Sequence, residues 1–153
     1  MRVYLMQHGT AMTKEQNPDR PLTEAGQQDV ENVASFLAQT GIQVEQIQHS
    51  GKMRAKETAQ IIGDHFRVQA VAITGLGPTD DVRPLAESLQ TERHTVMLVG
   101  HLPFMSHLAG YLLTGSPGQN IVQFQQGGVL CLEKEEDFWV VHWMIVPELF
   151  PAK

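Results

Sequence analysis

The chain has one cysteine, no run of basic residues and no long apolar stretch, and each shortage excludes a class of protein. The lone Cys131 excludes an intrachain disulfide and lies in an apolar strand pattern, so we expect a buried, unreactive thiol in a reducing compartment. No apolar segment approaches the about 20 residues that a membrane span needs. The N-terminus also lacks the basic and then apolar pattern of a signal peptide. We therefore expect a cytoplasmic protein with no membrane partner.

Acidic residues outnumber basic ones, 17 against 11, which gives a formal net charge of −6. A chain of this sign without a Lys/Arg cluster is not typical of nucleic-acid-binding proteins, and we expect no nucleic-acid partner. The chain contains no repeat, linker or low-complexity segment. Its length is typical of one domain with a full hydrophobic core, so we expect residues 1–153 to form a single domain.

Apolar periodicity alternates between strands and helices along most of the chain. Short apolar runs predict four strands, at Val3–Met6, Ile42–Gln48, Val68–Ile73 and Thr95–Val99. Amphipathic stripes predict helices from about Thr23 to Gly41, from about Lys52 to Phe66, after Val82 and after Pro103. Two further strands, joined by a polar hairpin loop, are predicted at Val129–Glu133 and Phe138–Val146.

This element order predicts an α/β fold. We expect a mainly parallel sheet with helices on both faces, a three-layer α/β/α arrangement, and an antiparallel C-terminal hairpin. Thr95–Val99 is the most apolar strand and is therefore predicted to be central. Trp139 and Trp143 stand four residues apart in the last strand, and we expect them to pack on the same face.

Polar residues follow three of the strands that are predicted to be parallel. His8 ends the first, Ser50 and Arg54 follow the second, and His101 ends the fourth. Because parallel strands end at one edge of a sheet, these side chains can meet there. Arg54 lies in the first turn of a helix, whose free N–H groups and dipole also favour an anion. Two imidazoles and a guanidinium suit phosphoryl transfer: one neutral imidazole attacks phosphorus, and the other, if protonated, donates to its oxygens.

Other candidates have a second interpretation that is purely structural. Asp80 and Asp81 could act as a general acid, although Asp81 also suits the cap of the next helix. Ser50 could contact phosphate or cap its helix, and Gly9 lets a ligand or backbone approach His8 closely. Thr10 could donate to the phosphate, but we expect it to shape its loop. His49 neighbours the site, and we expect its side chain to point away from that of Ser50, with a structural or supporting role. Arg20 and Arg83 could help neutralise the substrate, but we expect them to be solvated.

Four segments resemble, in order, the motifs of one enzyme superfamily. Leu5–Gly9 resembles the Arg-His-Gly signature of the histidine phosphatase (phosphoglycerate-mutase-like) superfamily, and Arg20–Gly26 is similar to its loop-to-helix segment. Ser50–Ala59 resembles its Ser-x-x-x-Arg-Ala-x-x-Thr-Ala motif, and Val99–Pro103 its second histidine motif. The chain is short and has no long insertion, and in this respect it resembles the SixA-like phosphohistidine phosphatase branch.

The resemblance implies a metal-independent phosphatase that needs no cofactor. His8 would form a covalent phosphohistidine, and Arg54 and His101 would bind the phosphoryl oxygens. The implied substrate is a protein phosphohistidine or a small phosphorylated compound. Gln7 departs from the pattern, because most of the superfamily has arginine there. Glutamine donates a hydrogen bond without charge, so we expect slow turnover of ordinary phosphomonoesters.

Two alternatives remain open. Gln7 and the lack of a clear acid would also fit a phosphate-binding or regulatory module with little or no turnover. His8, His49 and His101 could instead form a three-histidine zinc site. A cation beside Arg54 is unfavourable, however, and such a site would leave Ser50 and Arg54 without a purpose.

Overall fold

The structure, a computed structural model, describes residues 1–151. Six strands form one sheet: β1 (Arg2–Gln7), β2 (Gln46–His49), β3 (Ala70–Ala72), β4 (Val96–Gly100), β5 (Val129–Glu135) and β6 (Phe138–Ile145). The helices between them are α1 (Glu24–Gln39), α2 (Met53–Phe66), α3 (Arg83–Thr91) and α4 (Phe104–Thr114). A short 3₁₀ turn, Pro147–Leu149, follows β6. None of the described helices is long and apolar enough to cross a membrane.

The sheet order is β3-β2-β4-β1-β5-β6. Strands β3, β2, β4 and β1 run parallel, whereas β5 pairs antiparallel with β1 and β6 antiparallel with β5. The predicted α/β fold with a C-terminal hairpin is therefore confirmed. The fully buried β4 lies between β2 and β1, as its apolar sequence predicts.

Alternation along the strands divides the core into two layers, one on each face of the sheet. Val3 and Leu5 pack with residues of α3 and α4, whereas Tyr4 and Met6 pack with residues of α1 and α2. Both faces are therefore covered by helices, as predicted. Cys131 is buried in the second layer, and burial raises the pKa of its thiol to about 11, which fits an unreactive residue.

Local signals place the first helix accurately. The Thr23 hydroxyl caps α1 by accepting the Gly26 N–H at 2.9 Å. Gly41 follows the helix in the left-handed region, at φ 83°, where a residue without Cβ is favoured.

Two strands are shorter than their apolar runs predict. Residues 42–45 lie outside β2, although Val44 is buried, because this segment joins the sheet only where Glu45 and Gln46 donate to the Thr95 carbonyl. Only Ala70–Ala72 of the third run forms a strand, and it lies at the sheet edge with Val71 exposed. Apolar character alone therefore overestimates the length of these strands.

The two tryptophans pack on opposite faces of the sheet, so the prediction of a shared face is wrong. Trp139 lies in the core layer of α3 and α4, whereas Trp143 contacts the ring of Tyr4 in the other layer. The pairing of β5 and β6 shifts between Cys131 and Leu132, where Trp143 and Val141 are their partners. The extra residue, His142, is a β-bulge that reverses the alternation.

Candidate active site

The carboxyl ends of three neighbouring strands bring His8, Ser50 and His101 together. His8 follows β1, Ser50 follows β2, and His101 follows β4, which lies between them. The ring centroids of His8 and His101 are 5.1 Å apart. His101 Nε2 lies 2.6 Å from Ser50 Oγ. The predicted meeting of these side chains at one sheet edge is therefore what the fold produces.

The His8 ring is held in one orientation. Its Nδ1 lies 2.6 Å from the Gly9 carbonyl oxygen, and since a carbonyl only accepts, Nδ1 carries the hydrogen. Nε2 is then left with a free lone pair. The side chain is buried, and burial, followed by the charges of Arg54 and Arg20, lowers the pKa of His8 to about 4 despite the Gly9 bond. His8 is therefore a neutral imidazole at pH 7.

His101 is also neutral, which corrects the idea that it is protonated. Burial is the largest cause, followed by the electrostatic interactions with His8, Arg54, Lys52 and Arg20, and together they lower the pKa of His101 to about 3. Its Nδ1 is buried without a hydrogen-bond partner among the described residues. In this state His101 donates one neutral N–H and adds no positive charge.

The fixed positive charge of the site comes from arginine. Arg54 lies in the first turn of α2, half-buried, and its Nε is buried without a partner in the described chain. Burial and the nearby Arg20 lower the pKa of Arg54, but a guanidinium stays charged throughout the physiological range. No side chain caps α2, so its first amides also favour an anion.

The structure places Arg20 near His8, Arg54 and His101, whereas the sequence predicts a solvated side chain. Its charge lowers the pKa values of His8, Arg54 and His101. The side chain is half-buried, and its Nε donates to the Met12 carbonyl at 3.0 Å. Arg83, by contrast, is exposed and paired with Asp81 at 2.9 Å, as expected for a surface residue.

Thr58 connects the His8 loop to the helix that carries Arg54, and sequence reasoning assigned it no role. Its hydroxyl donates to the Arg54 carbonyl at 2.7 Å and accepts the Gly9 N–H at 3.0 Å. The side chain is fully buried. Its place in the Ser50–Ala59 motif is the one signal that could have marked it.

Gly9 serves packing rather than ligand approach. Its N–H donates to Thr58 Oγ1, so this amide is engaged within the protein. A Cβ on Gly9 would lie 2.8 Å from Val30 Cγ2 and 3.1 Å from the Gly26 carbonyl oxygen. The close approach that this glycine permits is therefore that of α1 to the His8 loop.

Comparisons with known proteins agree with this geometry. A model of the histidine phosphatase superfamily (branch 1) matches residues 3–77. Over 143 residues the chain is 26% identical to phosphohistidine phosphatase SixA of Escherichia coli strain K12, which covers 89% of this chain and 87% of SixA. The structure of the protein histidine phosphatase SixA complexed with tungstate superposes with a TM-score of 0.86 at 25% identity, covering 97% and 99% of the two chains. The chain belongs to the histidine phosphatase superfamily.

Membership confirms the resemblance drawn from the four motifs, and the protein is a phosphatase hydrolase. A mycobacterial glucosyl-3-phosphoglycerate phosphatase in complex with VO3 shares the fold, with a TM-score of 0.75 and 16% identity over 93% of this chain and 97% of that one. The superfamily fold thus also carries a phosphatase whose name gives a sugar phosphate as substrate.

Gln7 is the position at which this member departs from the superfamily signature. It ends β1 opposite Gly100, and only 8% of the residue is exposed. Its Oε1 is buried and finds no hydrogen-bond partner within residues 1–151. The protein therefore holds a neutral acceptor, without a partner among the described residues, next to His8, where an arginine would add charge.

Ser50 and His49 form the turn that leads from β2 to α2. Ser50 Oγ accepts the Lys52 N–H at 3.3 Å and contacts His101, but it does not cap α2, whose N-cap is Lys52. Its contact with phosphate stays a prediction. His49 Nδ1 accepts the Gly51 N–H at 3.0 Å. This nitrogen is therefore engaged, and the idea of a three-histidine zinc site loses its third ligand. Among the described residues, no group of three His, Cys, Asp or Glu side chains is arranged to hold a metal.

Neither aspartate is arranged as a general acid. Asp80 Oδ2 accepts the Gly77 N–H at 2.7 Å in its own turn. Asp81 accepts the N–H of Arg83, the first residue of α3, but it is not the N-cap as expected, because Val82 holds that position and no side chain caps the helix. Hydrogen bonds from the Arg83 side chain and backbone lower the pKa of Asp81, which keeps it ionised and unable to donate a proton at neutral pH. The expectation of an acid at these positions is not supported.

Proposed function

We propose that this phosphatase hydrolyses a protein-borne phosphohistidine through a covalent phosphohistidine on His8. The observation that carries the proposal is the fixed His8 ring, whose Nδ1–H is bonded to Gly9 and whose Nε2 lone pair is free. A neutral imidazole in a buried site with nearby guanidinium charge is an activated nucleophile toward phosphorus. The 26% identity to SixA, named a phosphohistidine phosphatase, supports the choice of substrate.

The first step transfers the phosphoryl group to the enzyme. His8 Nε2 attacks phosphorus, and the bond from phosphorus to the substrate imidazole nitrogen breaks in line with it. The leaving nitrogen keeps the electron pair. The substrate reacts in the form whose other ring nitrogen is protonated, so that it departs as neutral histidine. Arg54, Arg20 and the first amides of α2 stabilise the negative oxygens of the transferring group.

The second step releases phosphate. A water molecule attacks phosphorus on the opposite side from His8, the P–N bond breaks, and Nε2 recovers its lone pair. The proton lost by the water passes to the phosphate oxygens or to solvent, and inorganic phosphate leaves. His101 Nε2, which contacts Ser50 in the free protein, exchanges this partner for a phosphoryl oxygen and donates its single N–H to that oxygen in both steps.

The engagement of Asp80 and Asp81, the two candidate acids, supports a P–N substrate over a P–O substrate. An alkoxide leaving group needs a proton in the transition state. Asp81 is held ionised by Arg83, and Asp80 is occupied by Gly77. A phosphohistidine ring that is protonated on its other nitrogen leaves as a neutral imidazole without a proton from the enzyme, so the site as built matches the chemistry of a phosphoramidate.

The test measures phosphate release from a phosphohistidine peptide and from an aryl phosphate. We compare wild type, His8→Ala, and His94→Ala as a control histidine whose side chain is exposed and pairs with Glu92. We expect the peptide to be the better substrate, His8→Ala to release nothing, and His94→Ala to match wild type. Phosphate from labelled peptide should also appear on wild-type enzyme as an acid-labile adduct.

Three outcomes would contradict the proposal. Release that survives in His8→Ala would exclude His8 as the nucleophile. A strong preference for the aryl phosphate would move the assignment to a small phosphorylated compound. Phosphate binding without release from either substrate would favour a binding or regulatory module.

A further inference from the structure

We infer that His49 is a positioning residue, which acts through the Gly51 amide to fix the turn that places Ser50 against His101. This inference rests on the proposed function, because it concerns the same phosphoryl site. His49 precedes the Ser50–Ala59 motif and has no part in the two chemical steps above.

The His49 side chain is locked within the sheet. It ends β2, is only 4% exposed, and stands opposite Val99 of β4 and Ala72 of β3. Its carbonyl accepts the Ile73 N–H at 2.9 Å. Like Ile47 two residues earlier, it belongs to the buried set of its strand. A ring held this firmly provides a rigid anchor for the turn that follows.

The turn itself has little other support. Gly51 adopts φ 92°, a left-handed conformation that residues with a Cβ rarely adopt. Its N–H donates to His49 Nδ1, and the next amide, that of Lys52, donates to Ser50 Oγ. Two consecutive amides are thus bonded by two consecutive side chains. Without His49, the Gly51 amide would lose its partner and the turn one of its two constraints.

The anchor extends directly to the catalytic centre. Ser50, between His49 and Gly51, lies 2.6 Å from His101 Nε2 through its hydroxyl. Lys52, after Gly51, is the residue from which α2 and Arg54 begin. A small displacement of this turn therefore moves both Ser50, the hydrogen-bond partner of His101, and the start of α2, the helix that carries Arg54. Misplacements of about 1 Å near reacting groups cost about a hundredfold in rate.

The bond requires a particular form of His49. Nδ1 accepts, so the ring must be neutral with its hydrogen on Nε2. Burial, and then the charge of Lys56, lower the pKa of His49, which favours that neutral form. Lys56, on α2, is the charged residue that acts on the His49 ring, and its positive charge opposes a proton there.

The test compares two substitutions of similar size. His49→Asn keeps an acceptor that can reach an amide two residues further on, whereas His49→Leu keeps the burial and removes the acceptor. We expect His49→Leu to lower kcat by about tenfold to a hundredfold, with a smaller change in KM, and His49→Asn to recover most of the loss. In a Ser50→Ala background, His49→Leu should have little further effect, because the two residues act in series.

A measurement on the wild-type protein does not depend on a variant folding. The ¹⁵N chemical shifts of the imidazoles should assign to His49 the tautomer with its hydrogen on Nε2. The affinity for tungstate, used as a phosphoryl mimic, should fall in His49→Leu and not in His49→Asn. Both measurements decide the inference even if no phosphate is released, so its failure is distinguishable from failure of the proposed function.

Contrary results are equally definite. A folded His49→Leu with wild-type kcat and tungstate affinity would overturn the inference. Equal losses in His49→Leu and His49→Asn, full additivity with Ser50→Ala, or an Nδ1–H tautomer of His49 would overturn it as well.

Discussion

The rings of His8 and His101 face each other with their centroids 5.1 Å apart and their planes inclined at 52°, and both are neutral. Two buried imidazoles this close disfavour a proton on either one. The positive charge that a phosphoryl group requires must therefore come from arginines and a helix terminus rather than from histidine. This division of roles leads to four predictions.

The stability of the protein should fall as the pH drops from 6.5 toward 4. Folding lowers the pKa of His8 from 6.5 to about 4 and that of His101 to about 3, so the unfolded chain binds more protons in this interval. Stability is therefore highest above pH 6.5 and declines as the pH decreases through this window. Denaturant unfolding at several pH values should show a flatter decline in His8→Gln and His101→Gln. An unchanged slope in both variants would contradict the assigned neutral pair.

Arg20→Gln should reduce kcat/KM by about tenfold and raise the pKa of His8. The charge of Arg20 is one of the causes that lower the pKa of His8 and His101, and its side chain is held by the Met12 carbonyl. Turnover with pH profiles measures both effects. Arg83→Gln is the matched control, because Arg83 is exposed and paired with Asp81, and it should match wild type. Equal effects of the two substitutions would contradict a role for Arg20 in the site.

Gln7→Arg should raise turnover of an aryl phosphate by up to about tenfold, the difference between an ionic and a neutral hydrogen bond. The native side chain leaves Oε1 buried and unpaired, so little bonding is lost in the exchange. Gln7→Met separates charge from shape, since it keeps the length of the side chain without the polar group. Steady-state kinetics of the three proteins measures the effect. Unchanged or lower activity in Gln7→Arg would count against the charge argument.

Thr58→Val should lower both stability and turnover. The substitution keeps the shape of the side chain but leaves the Gly9 N–H without its acceptor, which costs about 1–3 kcal/mol for a buried group. The loop of His8 and the first turn of α2 also lose their connection. Thr58→Ser retains the hydroxyl and should stay close to wild type. Urea unfolding and kcat distinguish the outcomes, and a stable, fully active Thr58→Val would exclude this role.

Much of the site could be predicted because it depends on strand ends. His8, Ser50 and His101 each follow a strand, and parallel strands end at one edge, so apolar runs and their polar endings suffice to group them. The role of Thr58 could not be predicted in this way, since it depends on the contact between α2 and the Gly9 loop, 49 residues apart. The position of Arg20 depends on the path of a loop that has no regular pattern.

Elements of the fold could be predicted where the apolar pattern lies within one segment. Features that depend on how two strands pair could not. The stripe of α1 and the apolar β4 follow directly from their residues. The opposite faces of Trp139 and Trp143 depend on one extra residue opposite Cys131 and Leu132, which alternation within a single strand does not reveal. The short β3 likewise reflects an edge position with one neighbouring strand.

The position of β4 between β2 and β1 has a consequence for how the active site assembles during folding. His8 lies near the start of the chain and the Ser50 turn some 40 residues later, and the strands that precede them, β1 and β2, are held side by side only through β4, which pairs with both. A nascent chain whose residue 101 is still inside the ribosome has His8 in place but lacks His101 beside it. Activity therefore requires β4 to pair with both β1 and β2, and the recovery of activity on refolding measures when this pairing is complete.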